Sequence, residues 1–159
     1  MAATPAVDVL IRSGTAYRLH EYIHDPSAPY GREAAEAVGT EPQQVLKTLV
    51  VAAAGSLAIA VIPVSGELDL KALAAALGLK KVMMAHPAQA ERATGYVIGG
   101  ISPLGQKRRL RIVVDESASQ WATVFVSGGR RGLELELAPA DLVALTGALV
   151  APVSRARTR

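Results

Sequence analysis

Hydrophobic and polar residues follow two periods along the chain, and the switches between them mark out short helices and strands. Thr4-Pro5 reads as an N-cap with proline at the first helical position, and Gly14 as the stop, which predicts a first helix. From Tyr17 to His24 polarity alternates as in a strand. Tyr17, Leu19, Glu21 and Ile23 fall on one face, and Arg18, His20, Tyr22 and His24 on the other. A loop, HDPSAPYG, leads to a short helix, REAAEAVG, ending at Gly39. The apolar runs VLKTLVVAA and LAIAVIPV flank Ala54-Gly55-Ser56 and predict a hairpin. Residues 69–77 form a helical pattern with Leu70, Leu73 and Leu77 on one face, closed by Gly78. A strand over 81–84 and a helix over 87–94 follow. RIVVD, TVFVS and GLELEL then read as strands, and residues 138–146 as a last helix before Gly147.

These elements mix without a steady βαβ rhythm. The pattern predicts one α/β domain over residues 1–150 with a mixed, strongly curved sheet, not a doubly wound one, followed by a basic, flexible tail over 151–159. A chain of 159 residues suffices for one core. With only 4% aromatic residues, that core has to be built from Ala, Val, Leu and Ile. No apolar stretch approaches the roughly 20 residues that cross a bilayer. The first residues lack a basic region ahead of their apolar positions, so they read as a helix and not a signal peptide. The absence of cysteine excludes disulfides, a thiolate zinc site and a cysteine nucleophile, and suggests the cytosol. The net charge of +3 permits contact with a polyanion without demanding it. Much of the excess lies in Lys107, Arg108, Arg109 and Arg111, and in Arg155, Arg157 and Arg159.

Candidate chemistry begins with Lys47, a cation inside an apolar strand. Burying an ammonium is costly unless it is paired or reaches water. Lys47 therefore either snorkels from an edge strand or stands in a pocket that receives an anion. His20, His24 and His86 form no metal pattern, since His20 and His24 on one strand face would be ~13 Å apart. No nucleophile elbow, phosphate-binding P-loop or dinucleotide fingerprint is present. Two glycine-rich stretches remain: GYVIGGISPLG at 95–105 and SGGRRG at 127–132. Gly99-Gly100 permits positive φ and close approach of the backbone to a ligand. Consecutive amides in such a loop can bind an anion or form an oxyanion hole, with Ser102 adding a hydroxyl; a tight structural loop is the plainer alternative.

The stretches TPAVDVLIRSG, EYIHD, VLKTLVV, VIPVSGELDLKALAAALGLKKVMMA, TGYVIGGISPLGQK, ATVFVSGGRRGLELEL and APADL, in this order, resemble the YbaK/EbsC family over residues 4 to about 150. The resemblance implies the editing-domain fold shared with prolyl-tRNA synthetase, a mixed curved sheet forming a partial barrel with surrounding helices. It implies hydrolytic removal of cysteine from mischarged Cys-tRNA(Pro), an error that arises because a small apolar pocket discriminates poorly by volume. Alanine or serine substrates, or binding of a tRNA acceptor end without catalysis, are the alternatives. The family's functional lysine falls on Lys47, implied to hold the terminal adenosine end of the tRNA, with Thr48 beside it. Its pocket tyrosine falls on Tyr22, and a phenylalanine of the relatives becomes Tyr30. Gly99, Gly100, Ile101 and Ser102 are implied to face the substrate carbonyl and amino group, and Ser127 to line the same cleft. An acidic position that is often Asp falls on Glu134. The resemblance further implies that the substrate thiolate attacks its own ester, that no cofactor or membrane takes part, and that aminoacyl-tRNA and prolyl-tRNA synthetase are the partners.

Overall fold

The structure, a computed structural model, describes residues 3–25, 27 and 30–157, with the side chains of residues 30–32 outside the description. In chain order the elements are α1 (Pro5–Ser13), β1 (Arg18–Glu21), α2 (Tyr30–Val38), β2 (Leu46–Ala53), β3 (Ser56–Pro63), β4 (Gly66–Leu68), α3 (Leu70–Leu77), β5 (Met83–Met84), α4 (Pro87–Thr94), β6 (Arg111–Asp115), β7 (Val124–Ser127), β8 (Leu133–Leu137), α5 (Pro139–Thr146), β9 (Leu149–Ala151) and β10 (Ser154–Ala156).

Local signals set most of these limits. The Thr4 hydroxyl accepts from Val7 N–H at 3.2 Å, and the Asp69 carboxylate accepts from Ala72 N–H at 3.0 Å, each satisfying an orphan donor of its helix. The hairpin β2–β3 closes over Ala54 and Gly55, both at positive φ (44° and 85°), which matches the twist of the strands.

A five-stranded sheet runs in the order β5-β2-β3-β6-β9. Its β5-β2-β3 side is antiparallel, and β3, β6 and β9 are parallel. A three-stranded antiparallel sheet has the order β1-β8-β7. A parallel bridge between Val45 and Phe125 connects the two, so the combined strands are mixed, as expected, and compatible with a partial barrel. The main core, with Leu10, Ile59, Leu104, Leu133 and Leu135, fills the space between the sheets, α1 and the glycine-rich loop. A second core packs Leu73 and Leu77 of α3 against Ile62 and Val113. Leu70, at the start of that helix, is 36% exposed and takes little part.

The basic end of the chain departs from the expected loose tail. Strand β10 pairs with β4, placing Arg155 opposite Glu67. The buried carboxylate of Asp115 accepts from Val153 and Ser154 N–H at 2.9 and 3.0 Å. Arg157 donates to the Val64 carbonyl at 3.0 Å. Composition suggested a solvated tail, but the buried Val153 and the need of Asp115 for donors anchor it through Arg157. Arg159 lies outside the described residues.

Candidate active site

Strand β2 pairs with β3 along its whole length, but on its other side it meets β5 only at Val51 and Ala52. Residues 46–49 therefore leave an open edge. It is bounded by the Val45–Phe125 bridge at one end and by the Ala85 N–H bond to the Val50 carbonyl at the other. A cleft of about 800 Å³ runs along this gap. Because it follows a strand edge, side chains from both faces of β2 line it, and Lys47 and Thr48 both reach it.

The three-stranded sheet supplies the cleft floor. Tyr22 follows β1, and Glu134 and Ser127 are cross-strand partners in β8 and β7. Glu134 is 6% exposed, and among the described residues its carboxyl has no hydrogen-bond partner. Burial pushes that carboxyl up to about 8. Burial, and then the adjacent Glu134, push the Tyr22 phenol up to about 12. The Ser127 hydroxyl accepts from Gly129 N–H at 3.2 Å, so it both lines the cleft and shapes the second glycine loop.

Lys47 forms the opposite side. Burial, and then the Arg157 guanidinium, hold its ammonium below the ordinary lysine range, against a smaller pull from Glu67. No carboxylate among the described residues lies within ion-pairing distance of it. Next to it, the Thr48 hydroxyl is shut off from solvent and finds no hydrogen-bond partner among the described residues. Lys47 thus stands half-buried at the cleft without a carboxylate partner, and the Thr48 hydroxyl beside it is unpaired among the described residues.

The third side is the loop after α4. Tyr96 closes it by donating its hydroxyl to the Leu104 carbonyl at 2.6 Å. Gly100 N–H donates to the Val97 carbonyl at 2.8 Å, and Gly99 has φ 91°, the backbone of a type II turn with glycine where φ must be positive. Gly99 and Ile101 line the cleft, and among the described residues neither of their N–H groups donates a hydrogen bond.

Gly100 and Ser102 fall elsewhere than the sequence suggested. The Gly100 amide is committed to the turn, and its missing side chain lets two loops touch: a Cβ there would lie 2.7 Å from Arg130 Cα. Ser102 is fully buried, and its hydroxyl accepts from Leu104 N–H at 3.2 Å, stabilising the return of the loop. Tyr30 opens α2, but its side chain lies outside the described residues. Arg157 lines the cleft although the sequence singled it out only as part of a tail. No sequence signal separates it from its basic neighbours, because pairing of β10 with β4 is what brings it there.

The histidines are occupied in the scaffold. His20 bonds Glu136 at 2.9 Å, His24 bonds Glu33 at 2.7 Å, and His86 accepts from Ala88 N–H at the start of α4. Among the described residues no cluster of His, Cys, Asp or Glu could hold a metal ion. The cleft is lined by a cation, a buried carboxyl, apolar side chains, and two loop residues, Gly99 and Ile101, whose N–H groups donate no hydrogen bond among the described residues. That set suits a small acyl group attached to an anionic carrier.

Comparison with known proteins gives the family. A profile of the aminoacyl-tRNA editing domain matches residues 25–145. EbsC of Enterococcus faecalis, provisionally named a Cys-tRNA(Pro)/Cys-tRNA(Cys) deacylase, is 37% identical over 152 residues, covering 95% of this chain and 93% of that protein. A proline–tRNA ligase of Thermosipho melanesiensis is 28% identical over 111 residues, covering 70% of this chain and 19% of the ligase. A crystal structure provisionally described as a trans-editing enzyme for prolyl tRNA synthetase superimposes with a TM-score of 0.85 at 28% identity, covering 98% of this chain and 99% of that one. The chain belongs to the aminoacyl-tRNA editing domain family.

Proposed function

We propose that the protein hydrolyses the ester of mischarged Cys-tRNA(Pro), releasing cysteine in the cytoplasm. The observation that carries this reading is the half-buried Lys47 ammonium, without a carboxylate partner among the described residues, at a cleft that Gly99 and Ile101 also line. An anionic ligand resolves the cost of that ammonium, and the 3′ end of a tRNA supplies one.

In this reading Lys47 holds the terminal nucleotide by its phosphate, and the Thr48 hydroxyl bonds the same end. Tyr22 and Glu134 close around the aminoacyl group, the Glu134 carboxylate accepting from its α-ammonium. The substrate thiolate attacks its own ester carbonyl carbon, and a carbon–sulfur bond forms as the bond to the tRNA 3′ oxygen breaks. That oxygen leaves with a proton, and water then opens the thiolactone to free cysteine. The carbonyl oxygen carries negative charge in the transition state, and the Gly99 and Ile101 N–H groups stabilise it. The protein needs no nucleophile of its own, which fits the scaffold roles of all three histidines. A domain of this size has little surface for reading an anticodon, so prolyl-tRNA synthetase is the partner we propose for tRNA identity.

The test is a panel of Cys-, Ala-, Ser- and Pro-tRNA(Pro) under single-turnover conditions, with wild type and Lys47→Ala side by side. Cys-tRNA(Pro) should be cleared and Pro-tRNA(Pro) spared, and Lys47→Ala should lose at least about 10²-fold in rate at unchanged melting temperature. Clearance of the alanine or serine ester at the cysteine rate would move the substrate within the family. Binding without turnover at enzyme excess would sink the hydrolytic reading.

A further inference from the structure

A side chain of the second glycine loop bonds the backbone of the first at Ile98. The Ile98 carbonyl accepts from Arg131 Nη2 at 3.0 Å, and the Ile98 N–H donates to Glu91 Oε2 at 2.8 Å. The peptide between Ile98 and Gly99 is the central peptide of the turn spanning residues 97–100. In a trans peptide the C=O and N–H point in opposite directions. Holding the carbonyl toward Arg131 therefore turns the Gly99 N–H away from it, toward the cleft that Gly99 lines.

The turn does not make this choice unaided. Type I and type II turns differ by a flip of the central peptide, and glycine at the third position accepts either. After a flip, a carbonyl oxygen would face the cleft and repel the developing oxyanion. The observed φ of 91° at Gly99 is the orientation in which the Arg131 bond is made.

Arg131 is itself held. Its Nη1 lies 3.5 Å from His24 Nε2, and His24 Nδ1 lies 2.7 Å from Glu33 Oε1. Its neighbour Arg130 is turned outward to the exposed Glu21 at 3.2 Å.

We propose that Arg131 is a positioning residue: it selects the peptide orientation at Ile98–Gly99 that aims the Gly99 amide at the reacting carbonyl. The catalytic consequence rests on the reading of Gly99 as an oxyanion donor given above.

The test uses the full chain with Arg131→Gln, Arg131→Lys and, as a control, Arg130→Gln. Under single-turnover conditions with Cys-tRNA(Pro), Arg131→Gln should lower the maximal rate by about 10²-fold, the usual scale for one lost donor. The half-saturating enzyme concentration should stay within about threefold, because ground-state binding is untouched. Arg131→Lys should retain the fold and an intermediate rate, and added guanidinium should restore part of the rate of Arg131→Gln. Arg130→Gln should leave rate and binding unchanged. A maximal rate within about threefold of wild type for Arg131→Gln overturns the proposal, as does a loss confined to half-saturation. Amide NMR separates this from failure of the hydrolytic reading. Arg131→Gln and Arg131→Lys should shift the Gly99 cross-peak strongly and Arg130→Gln should not, whether or not any ester is cleaved. An unmoved Gly99 cross-peak in both Arg131 variants overturns the clamp itself.

Discussion

Along β2 the cleft presents side chains, Lys47 and Thr48, on a backbone fixed by eight residue pairs with β3. Across the gap, the loop around Gly99 contributes main chain, with the Gly99 and Ile101 N–H groups unbonded among the described residues, and no ladder fixes it. The strand wall is rigid by its own hydrogen bonding, so its chemistry can be removed by truncating a side chain. The loop wall is rigid only because other groups hold it: the Glu91 carboxylate, the Arg131 guanidinium, the Tyr96 hydroxyl and the close seat of Gly100 against Arg130. Its chemistry cannot be truncated, and is lost instead when the packing behind it changes.

The largest effect should come from attacking that packing. In Gly100→Ala the new methyl would stand 2.7 Å from Arg130 Cα and 3.1 Å from Arg131 N. Both are main-chain atoms, so a rotamer change cannot relieve the clash, and the two loops must separate. We expect a loss of at least about 10²-fold in the single-turnover rate, as one or both amides leave their place. Stability should fall by about 1–3 kcal/mol, the usual cost of overpacking. A urea titration and a rate measurement on the same sample check both. Near-wild-type rate would mean that the loop wall is not held as described.

The floor of the cleft provides a second contrast, since its carboxyl is buried without a hydrogen-bond partner among the described residues. The Glu134 carboxyl rises from an ordinary 4.5 to about 8 on folding. Between those values the folded chain binds more protons than the unfolded one, so stability falls as pH rises through that window and the whole loss is present above it. Glu134→Gln removes this dependence while preserving shape. The variant should be more stable than wild type above pH ~8, with the advantage shrinking toward pH ~5. Urea midpoints of both proteins across this range measure it, and a difference that does not vary with pH would show that Glu134 does not titrate there.

The strand and loop walls also differ in how much of them the sequence discloses. The β2–β3 hairpin and the capped helices were legible because each signal lies within a few residues of what it specifies: Thr4-Pro5, Gly78 and Ala54-Gly55. Strands β4, β9 and β10 span three residues each, too few for a period, and β4 and β10 owe their form to each other across the chain. Lys47 was conspicuous because a cation in an apolar strand is anomalous, whereas Arg157 was lost among other basic residues. In the GGIS stretch, composition left open a structural loop or a backbone site, and did not say which residues would reach the cleft. Gly100 and Ser102 went to the turn and the loop return, Gly99 and Ile101 to the cleft, and only the hydrogen-bond partners decide that. Arg130 and Arg131 are equivalent in sequence and opposite in placement for the same reason.

The smallest effect sharpens the account of the strand wall. The Thr48 hydroxyl is closed off from solvent without a partner among the described residues, a condition that costs about 1–3 kcal/mol of stability. Thr48→Val keeps the branched shape and removes that hydroxyl, so the free protein should gain on the order of 1 kcal/mol. If the hydroxyl meets the substrate, the same change should cost about tenfold in kcat/KM, because a bonding partner is then missing only in the complex. The two signs together are diagnostic. A scaffold threonine with the same unpaired hydroxyl would show the gain in stability alone, and its replacement would leave the rate unchanged. A hydroxyl kept in an unfavourable place for a ligand should show higher stability and lower activity in one variant. Because β2 is fixed by its pairing with β3, neither effect should move the Gly99 amide, so Thr48→Val combined with Arg131→Gln should give multiplicative losses, as expected for walls that act independently.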